Sequence, residues 1–298
     1  IVTHVNPDPD SIGSALALSN LFHENKIKHK VFNISSDLPQ NLDFIPRFDK
    51  ITDQLPAFFD LIITVDCGTY KRLGFEPEPS IPLINFDHHK SNNGFGNVNI
   101  VDSMKSSTAE LVFEFFKHNG LYITKDSATA LYVGIYDDTL AFSLGRCDEK
   151  TFEKINFLVE CGASPSEIAN KLLRRDSLAK YRIIPKILES LELFKEGEVA
   201  SIVAREEWFK ETGAHNRDCE DALDMIMSIA IVRIAVFIRV VNGVSRVSLR
   251  SKGQIDVSKI AGEFDGGGHF NASGCTIETL DVEKAKEIVL KEIFEIYK

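Results

Sequence analysis

The chain has 298 residues, long for one compact core and comfortable for two, since domains most often run about 100 to 150 residues. Hydrophobic residues make up 44% and charged residues 26%, an ordinary globular composition that excludes wholesale disorder, and no apolar run approaches the roughly 20 residues of a membrane helix. With 34 Lys and Arg against 44 Asp and Glu, the net charge of −10 opposes tight binding to long duplex DNA, which needs many cationic contacts to phosphate. The expected partners therefore include no long duplex DNA and no membrane. Cys67, Cys147, Cys161, Cys219 and Cys275 stand singly, which argues against a disulfide framework and against a cysteine zinc site. The start Ile1-Val-Thr-His has no signal-peptide pattern, so a cytoplasmic location is expected, and an opening inside an apolar run implies a short segment upstream.

From Ile1 to about Gly145, short apolar runs alternate with helix-like stretches, the pattern of an open, mostly parallel α/β sheet with helices on both faces. Ile1-Val-Thr reads as a strand, followed by a polar loop and a helix from Ser14 to Asn25; Lys30 to Ile34 reads as a second strand. Leu61 to Val65 leads into Asp66-Cys-Gly, and Pro82 to Phe86 leads into Asp87-His-His. Apolar spacing predicts helices over Ser107 to Asn119 and Ser127 to Tyr136, the second running into Asp137-Asp138-Thr139. Cys147 to about Phe194 reads as helical throughout and serves as a connector. A fresh pattern follows: a strand at Val199 to Ala204, a helix from Cys219 to Ile229, and a hairpin pairing Ile231 to Val241 with Ser245 to Ser251 around Asn242-Gly243. This predicts a smaller C-terminal α/β domain, with domains over residues 1–180 and 181–298.

In an open α/β sheet, ligands bind at the carboxyl ends of the strands, and three of the predicted strand ends carry Asp or His. The first motif is His4-x3-Asp8-x-Asp10 with Gly13 behind it. Two carboxylates spaced two apart on an extended loop can aim into one site, as a two-metal hydrolase requires, although Asp8 and Asp10 would equally serve as helix cap and turn formers. Asp66 after its strand is by itself an ordinary turn former. Asp87-His88-His89 places a carboxylate and two imidazoles in succession, and Asp87 is suited to orient a ring by accepting its second N–H. Asp137-Asp138 sets like charges side by side at a helix end, where solvent or a cation must screen them. Taken together, oxygen and nitrogen donors without thiolate suit manganese first, and also magnesium, iron or cobalt.

The order of these motifs resembles the DHH family of phosphoesterases. The resemblance continues into Arg250-Ser251 and Asp265-Gly266-Gly267-Gly268-His269, similar to the G-G-G-H signature of the DHH-associated C-terminal domain. It implies two divalent cations, one held by His4, Asp8 and Asp138, the other by Asp10 and His88, with Asp66 bridging; the cations would activate a water between them for in-line attack on phosphorus. Asp87 would stand behind the ligands, and His89 would face the scissile phosphate. Relatives usually carry Thr-Asp-Thr in the fourth motif, and Asp138 is taken as the ligand because Thr139 follows it. In the second domain Arg250, Ser251, Gly266, Gly267, Gly268 and His269 would grip substrate, the glycines as a loop whose N–H groups approach phosphate, across a cleft between the domains.

Length and the G-G-G-H end resemble the small, NrnA-like members, which degrade short oligoribonucleotides and dephosphorylate adenosine 3′,5′-bisphosphate. The expected function is manganese-dependent hydrolysis of short single-stranded RNA or a small nucleotide. The alternatives are a cyclic or linear dinucleotide phosphodiesterase, an inorganic pyrophosphatase, and an inactive nucleotide-binding protein. A homodimer is a further expectation from the family.

Overall fold

The structure is a computed structural model that describes residues 1–35, 38–143, 147–241 and 243–297, without the side chain of His269. The hairpin residue Asn242 and the side-chain role expected of His269 fall outside them. The chain divides into two compact units, residues 1–175 and 176–298.

In the first unit the strands are β1 (Val2–Thr3), β2 (Val31–Phe32), β3 (Ile51–Thr52), β4 (Ile62–Val65), β5 (Leu83–Asp87) and β6 (Val98–Val101). They run in the order β3-β2-β1-β4-β5-β6, and every neighbouring pair is parallel. The strand order reverses between β1 and β4, so the carboxyl ends of those strands open the crevice where such sheets take ligands. Alternation decides the faces. Val31, Ile63, Val65 and Phe86 point into a core shared with helices α1 (Pro9–Glu24), α2 (Thr108–His118) and α3 (Lys125–Asp138). Val2, Phe32, Ile62 and Leu83 point the other way, under Leu73 of the 3-10 turn Tyr70–Leu73 and the flanking Phe59 and Phe75. Both faces thus carry helical structure, with the long helices on one and a single turn on the other. Helices α4 (Glu149–Glu160) and α5 (Pro165–Leu173) complete the unit.

Helix α1 begins five positions earlier than its apolar spacing predicts. Asp8 caps it by accepting the Ser11 N–H at 2.9 Å, and Pro9, whose missing N–H would have been unpaired there, opens the first turn. Its side chains are buried almost all round because α3 lies across it. A Cβ on Gly13 would stand 2.4 Å from the Ala130 carbonyl oxygen and 3.1 Å from the Gly134 nitrogen, so the two helices meet backbone to backbone at that point.

The second unit starts with α6 (Leu178–Glu189) and holds strands β7 (Glu192–Phe194), β8 (Val199–Ala204), β9 (Ile234–Val241), β10 (Val244–Ser251), β11 (Gly267–His269) and β12 (Ala272–Ile277). Its other helices are α7 (Glu206–Thr212), α8 (Asp221–Met227), α9 (Val257–Gly262) and α10 (Val282–Ile296). The sheet order is β11-β12-β10-β9-β8-β7, with β8 and β9 parallel and the other neighbours antiparallel. One face packs Val247, Leu249 and Cys275 under α9 and α10, and the other packs Ala200, Ile202, Ala235 and Phe237 under α6 and α8.

Two expectations need correction. The stretch from Cys147 to Phe194 is three separate helices closed by a strand, because Gly162 and the Arg174 to Ser177 segment interrupt it. Gly267 and Gly268, expected in a loop, lie in the edge strand β11, where Gly268 has no room for a Cβ against Ala272 of β12. Gly13→Ala is expected to destabilise the first unit by about 1–3 kcal/mol, the usual cost of overpacking. A urea denaturation midpoint equal to wild type would contradict the close helix contact.

Candidate metal centre

The carboxyl ends of β1, β4 and β5 deliver His4, Asp66 and the Asp87-His88-His89 run to one place. The N-termini of α1 and α2 and the C-terminus of α3 meet them there. His4 is buried, and its Nε2 lies 3.4 Å from both Asp8 Oδ2 and Asp66 Oδ2 without a hydrogen-bond partner. Its Nδ1 is within reach of the Val5 carbonyl oxygen at 2.9 Å and of the Arg72 guanidinium at 3.0 Å. Asp8 spends Oδ1 on the helix cap, which leaves Oδ2 turned toward His4.

Asp10 is fully buried and accepts the first N–H groups of α2, Thr108 at 2.7 Å on Oδ2 and Ala109 at 2.8 Å on Oδ1. Gly134 makes room for it, since a Cβ there would stand 2.8 Å from Asp10 Oδ1. Asp66 sits centrally. Its backbone is left-handed, with φ of 57°, a conformation that Asp tolerates better than most side chains. Oδ2 faces His4, while Oδ1 lies 3.6 Å from His88 Nε2 and 3.5 Å from His89 Nδ1 and accepts the Thr108 hydroxyl at 2.8 Å.

His88 Nε2 lies 3.0 Å from Asp138 Oδ2, with Nδ1 3.4 Å from the Lys105 carbonyl oxygen. His89 Nδ1 is 2.7 Å from Asp87 Oδ1, and Asp87 Oδ2 accepts Asn92 Nδ2 at 2.5 Å, so Asp87 orients the ring from behind. Three sets of donor atoms lie within 4.8 Å of one another: His4, Asp8 and Asp66; Asp10, His88 and Asp138; Asp66, His88 and His89. Asp66 belongs to two of them. Asp138, expected beside His4 and Asp8, instead lies with Asp10 and His88, because the last turn of α3 turns its carboxylate onto the His88 ring. Among the described residues these sets contain Asp138 and not Asp137.

Burial disfavours charge on His4, Asp10, Asp66, His88 and Asp138, and their neighbours answer it. For His4 the loss of water is outweighed by Asp66 and Asp8, which push its pKa up to about 10; for His88 it is outweighed by Asp138, Asp10 and Asp66, again to about 10. Asp66 is also penalised by burial, yet His4, His89 and His88 hold it well below the usual carboxylate range. Burial raises Asp10, as do the charges of Asp66 and Asp138, and burial raises Asp138 against the pull of His88. A buried cluster so rich in carboxylate, with an unpartnered buried imidazole nitrogen, fits divalent cations. Cys67 adds no thiolate, because burial pushes its thiol up to about 12 and it donates to the Thr69 carbonyl oxygen.

Residues 1–135 match the DHH family N-terminal domain, and residues 198–297 match the DHHA1 domain. The chain carries a DHH domain followed by a DHHA1 domain. The bifunctional oligoribonuclease and PAP phosphatase NrnA of Thermus thermophilus is 29% identical over 298 residues, 99% of this chain and 89% of the relative. The protein of the same description from Bacillus subtilis is 27% identical over 282 residues, 93% of this chain and 88% of its own length. Among solved structures, an exopolyphosphatase-related protein of Bacteroides fragilis superposes with a TM-score of 0.89 at 26% identity, covering 99% of this chain and 91% of that one.

In the DHHA1 domain the expected substrate residues divide. Arg250 of β10 is partly exposed, donates to the Leu249 carbonyl oxygen at 3.3 Å and holds Nε 3.9 Å from Asp224 Oδ1. Ser251 is buried, donates to the Ile255 carbonyl oxygen at 2.6 Å and accepts Asn271 Nδ2 at 2.9 Å, so its hydroxyl holds the turn that follows β10. The Gly266 N–H is likewise committed, to the Ala261 carbonyl oxygen at 2.9 Å. A Cβ on Gly266 would stand 2.4 Å from the Gly274 carbonyl oxygen and one on Gly268 2.5 Å from that of Ala272, so these glycines permit close backbone approach; Gly267 meets nothing. Reading the sequence alone misses Arg246 and Arg239, which face each other across β10 and β9 on the side that carries Arg250. Their signal is the alternation Arg246-x-Ser248-x-Arg250.

Below about pH 10 His4 and His88 hold protons, and a ligating imidazole must give its proton up, so cation uptake is expected to release protons and to tighten as pH rises from 7 toward 10. Calorimetric titration with manganese(II) in buffers of different ionisation enthalpy measures this. Uptake with no proton release at pH 7 would show that the two rings are already neutral there, against their raised pKa values.

Proposed function

We propose that the chain is a metal-dependent phosphoesterase that hydrolyses short oligoribonucleotides and adenosine 3′,5′-bisphosphate, with manganese as the preferred ion. One observation carries the reading: a single buried carboxylate, Asp66, faces His4 with one oxygen and His88 with the other. That is the position a bridging ligand of a cation pair needs. The relatives named as oligoribonuclease and PAP phosphatase, similar over nearly the whole chain, support the substrate class.

His4, Asp8 and Asp66 would hold one cation and Asp10, His88 and Asp138 the other. When bound, such a pair lowers the pKa of water toward neutrality and offsets charge on the phosphoryl oxygens. The protein's own groups do the rest. Asp87 fixes the His89 ring through Nδ1, which makes Nε2 the nitrogen that meets the scissile phosphate, where it stabilises developing charge or protonates the leaving oxygen. Asn92 in turn holds Asp87. Arg250, with Arg246 and Arg239 on the same sheet face, supplies the forked donors that suit substrate phosphates. Arg250 can exchange its long contact with Asp224 for phosphate at little cost.

The test is manganese-dependent hydrolysis of 5′-labelled RNA di-, tri- and pentanucleotides, adenosine 3′,5′-bisphosphate and pyrophosphate. Asp66→Asn is expected to lose at least about 10²-fold in kcat, the scale of one lost electrostatic stabiliser. Arg250→Ala is expected to raise KM about 10- to 100-fold, consistent with a charge-assisted contact of about 1.5–3 kcal/mol. A wild-type protein inert on the nucleotides but active on pyrophosphate would sink the substrate assignment while sparing the metal centre.

A further inference from the structure

We propose that Thr108 is a positioning residue that sets the spacing of the two cation sites by tying Asp10 and Asp66 together. The inference rests on the metal reading above and goes beyond it to a residue that ligates nothing. Thr108 donates twice to carboxylates from distant parts of the chain: its backbone N–H to Asp10 Oδ2 at 2.7 Å, its hydroxyl to Asp66 Oδ1 at 2.8 Å. Asp10 stands in the set with His88 and Asp138, Asp66 in the set with His4 and Asp8. One residue therefore spans both.

The hydroxyl is not explained by the helix it sits on. Ser107 is the N-cap of α2 and already accepts the Glu110 N–H at 3.0 Å. A threonine in the first turn has no capping duty left, and in a helix its hydroxyl commonly bonds a carbonyl of the preceding turn. Here it is fully buried and aimed at Asp66 instead. Asp66 needs such an anchor. Its left-handed backbone is fixed by donation of its N–H to the Phe86 carbonyl oxygen at 2.9 Å, and the Thr108 hydroxyl gives its side chain a second fixed point.

The turn that carries Thr108 is itself locked. Glu110 Oε2 accepts both the N–H and the hydroxyl of Ser106, at 2.8 and 2.7 Å, and Lys154 of α4 reaches Glu110 and Glu114. Lys105 pairs with Glu114 at 2.6 Å while its carbonyl oxygen faces His88 Nδ1. Residues 105–109 thus touch three of the candidate ligands, Asp10, Asp66 and His88. A wedge held on its outer side by an ion network and on its inner side by carboxylates transmits one geometry to both sites.

The experiment compares wild type, Thr108→Val, which keeps the shape and removes the hydroxyl, and Thr108→Ser, which restores it. Manganese(II) uptake is followed by calorimetry, and the exchange-coupled pair by electron paramagnetic resonance. Wild type is expected to take two ions with a coupled spectrum. Thr108→Val should bind the second ion about 10- to 100-fold more weakly, the range typical for an outer partner of a ligand, and lose the coupling. Thr108→Ser should stay within about threefold of wild type. Should the valine variant not fold, Thr108→Ala removes the hydroxyl without placing a methyl against Asp66 and is read the same way. Two coupled ions at wild-type affinity in the hydroxyl-free variant, or equal weakening in the serine variant, overturns the proposal alone. Fewer than two ions in the wild type overturns the metal reading and the proposal with it.

Discussion

Repulsion between buried carboxylates is the constraint on which the DHH domain turns. Asp8, Asp10, Asp66 and Asp138 crowd one end of the parallel sheet; on top of burial, the charges of Asp66 and Asp8 raise both Asp10 and Asp138, and that of Asp138 raises Asp10 further. Left in a dry core, such groups would each cost several kcal/mol. The fold meets this with counter-groups instead of distance. The N-terminus of α2 gives two N–H bonds to Asp10, two imidazoles bracket Asp66, and His88 engages Asp138. What these leave uncompensated is the charge that a pair of cations fits.

That arrangement also explains why the helices meet as closely as they do. Asp10 stands in the first turn of α1 against α3; Gly13 lets the two helices close up, and Gly134 leaves space for the Asp10 side chain, whose two oxygens turn to α2. Packing and chemistry use the same gap. The second unit keeps a different division: one sheet face is buried under α9 and α10, and the other mixes a core under α6 and α8 with a row of arginines on β9 and β10.

Much of the candidate centre is legible in the sequence because its donors follow strands directly. A strand end is a local signal, and Asp66, Asp87, His88 and His89 stand immediately after apolar runs. The choice of Asp138 over Asp137 rests on a neighbour, Thr139, and the described geometry places Asp138 in the cluster. Thr108 is not legible, since its partners lie 42 and 98 positions away and nothing in Ser-Ser-Thr-Ala-Glu marks more than a helix start. Strands β3 and β6 escape notice for another reason: they are short edge strands of two and four residues, half-buried or exposed. The glycine run is visible but ambiguous. Glycine signals either backbone freedom or a missing Cβ, and Gly268 of β11 uses both, with φ of 145° and no room for a Cβ against Ala272. Ser251 shows the same limit, since a polar residue beside an arginine reads as a contact while its hydroxyl holds the turn after β10.

The donors of the centre come from positions 4, 8, 10, 66, 88, 89 and 138, so they are neighbours only after nearly the whole DHH domain has closed on itself. In the unfolded chain, bringing position 4 beside position 66 closes a long loop, whose entropy is unfavourable and grows only slowly with length. No contiguous fragment shorter than residues 4–138 contains the full set. The centre is therefore a property of the closed fold, and no local segment carries it alone.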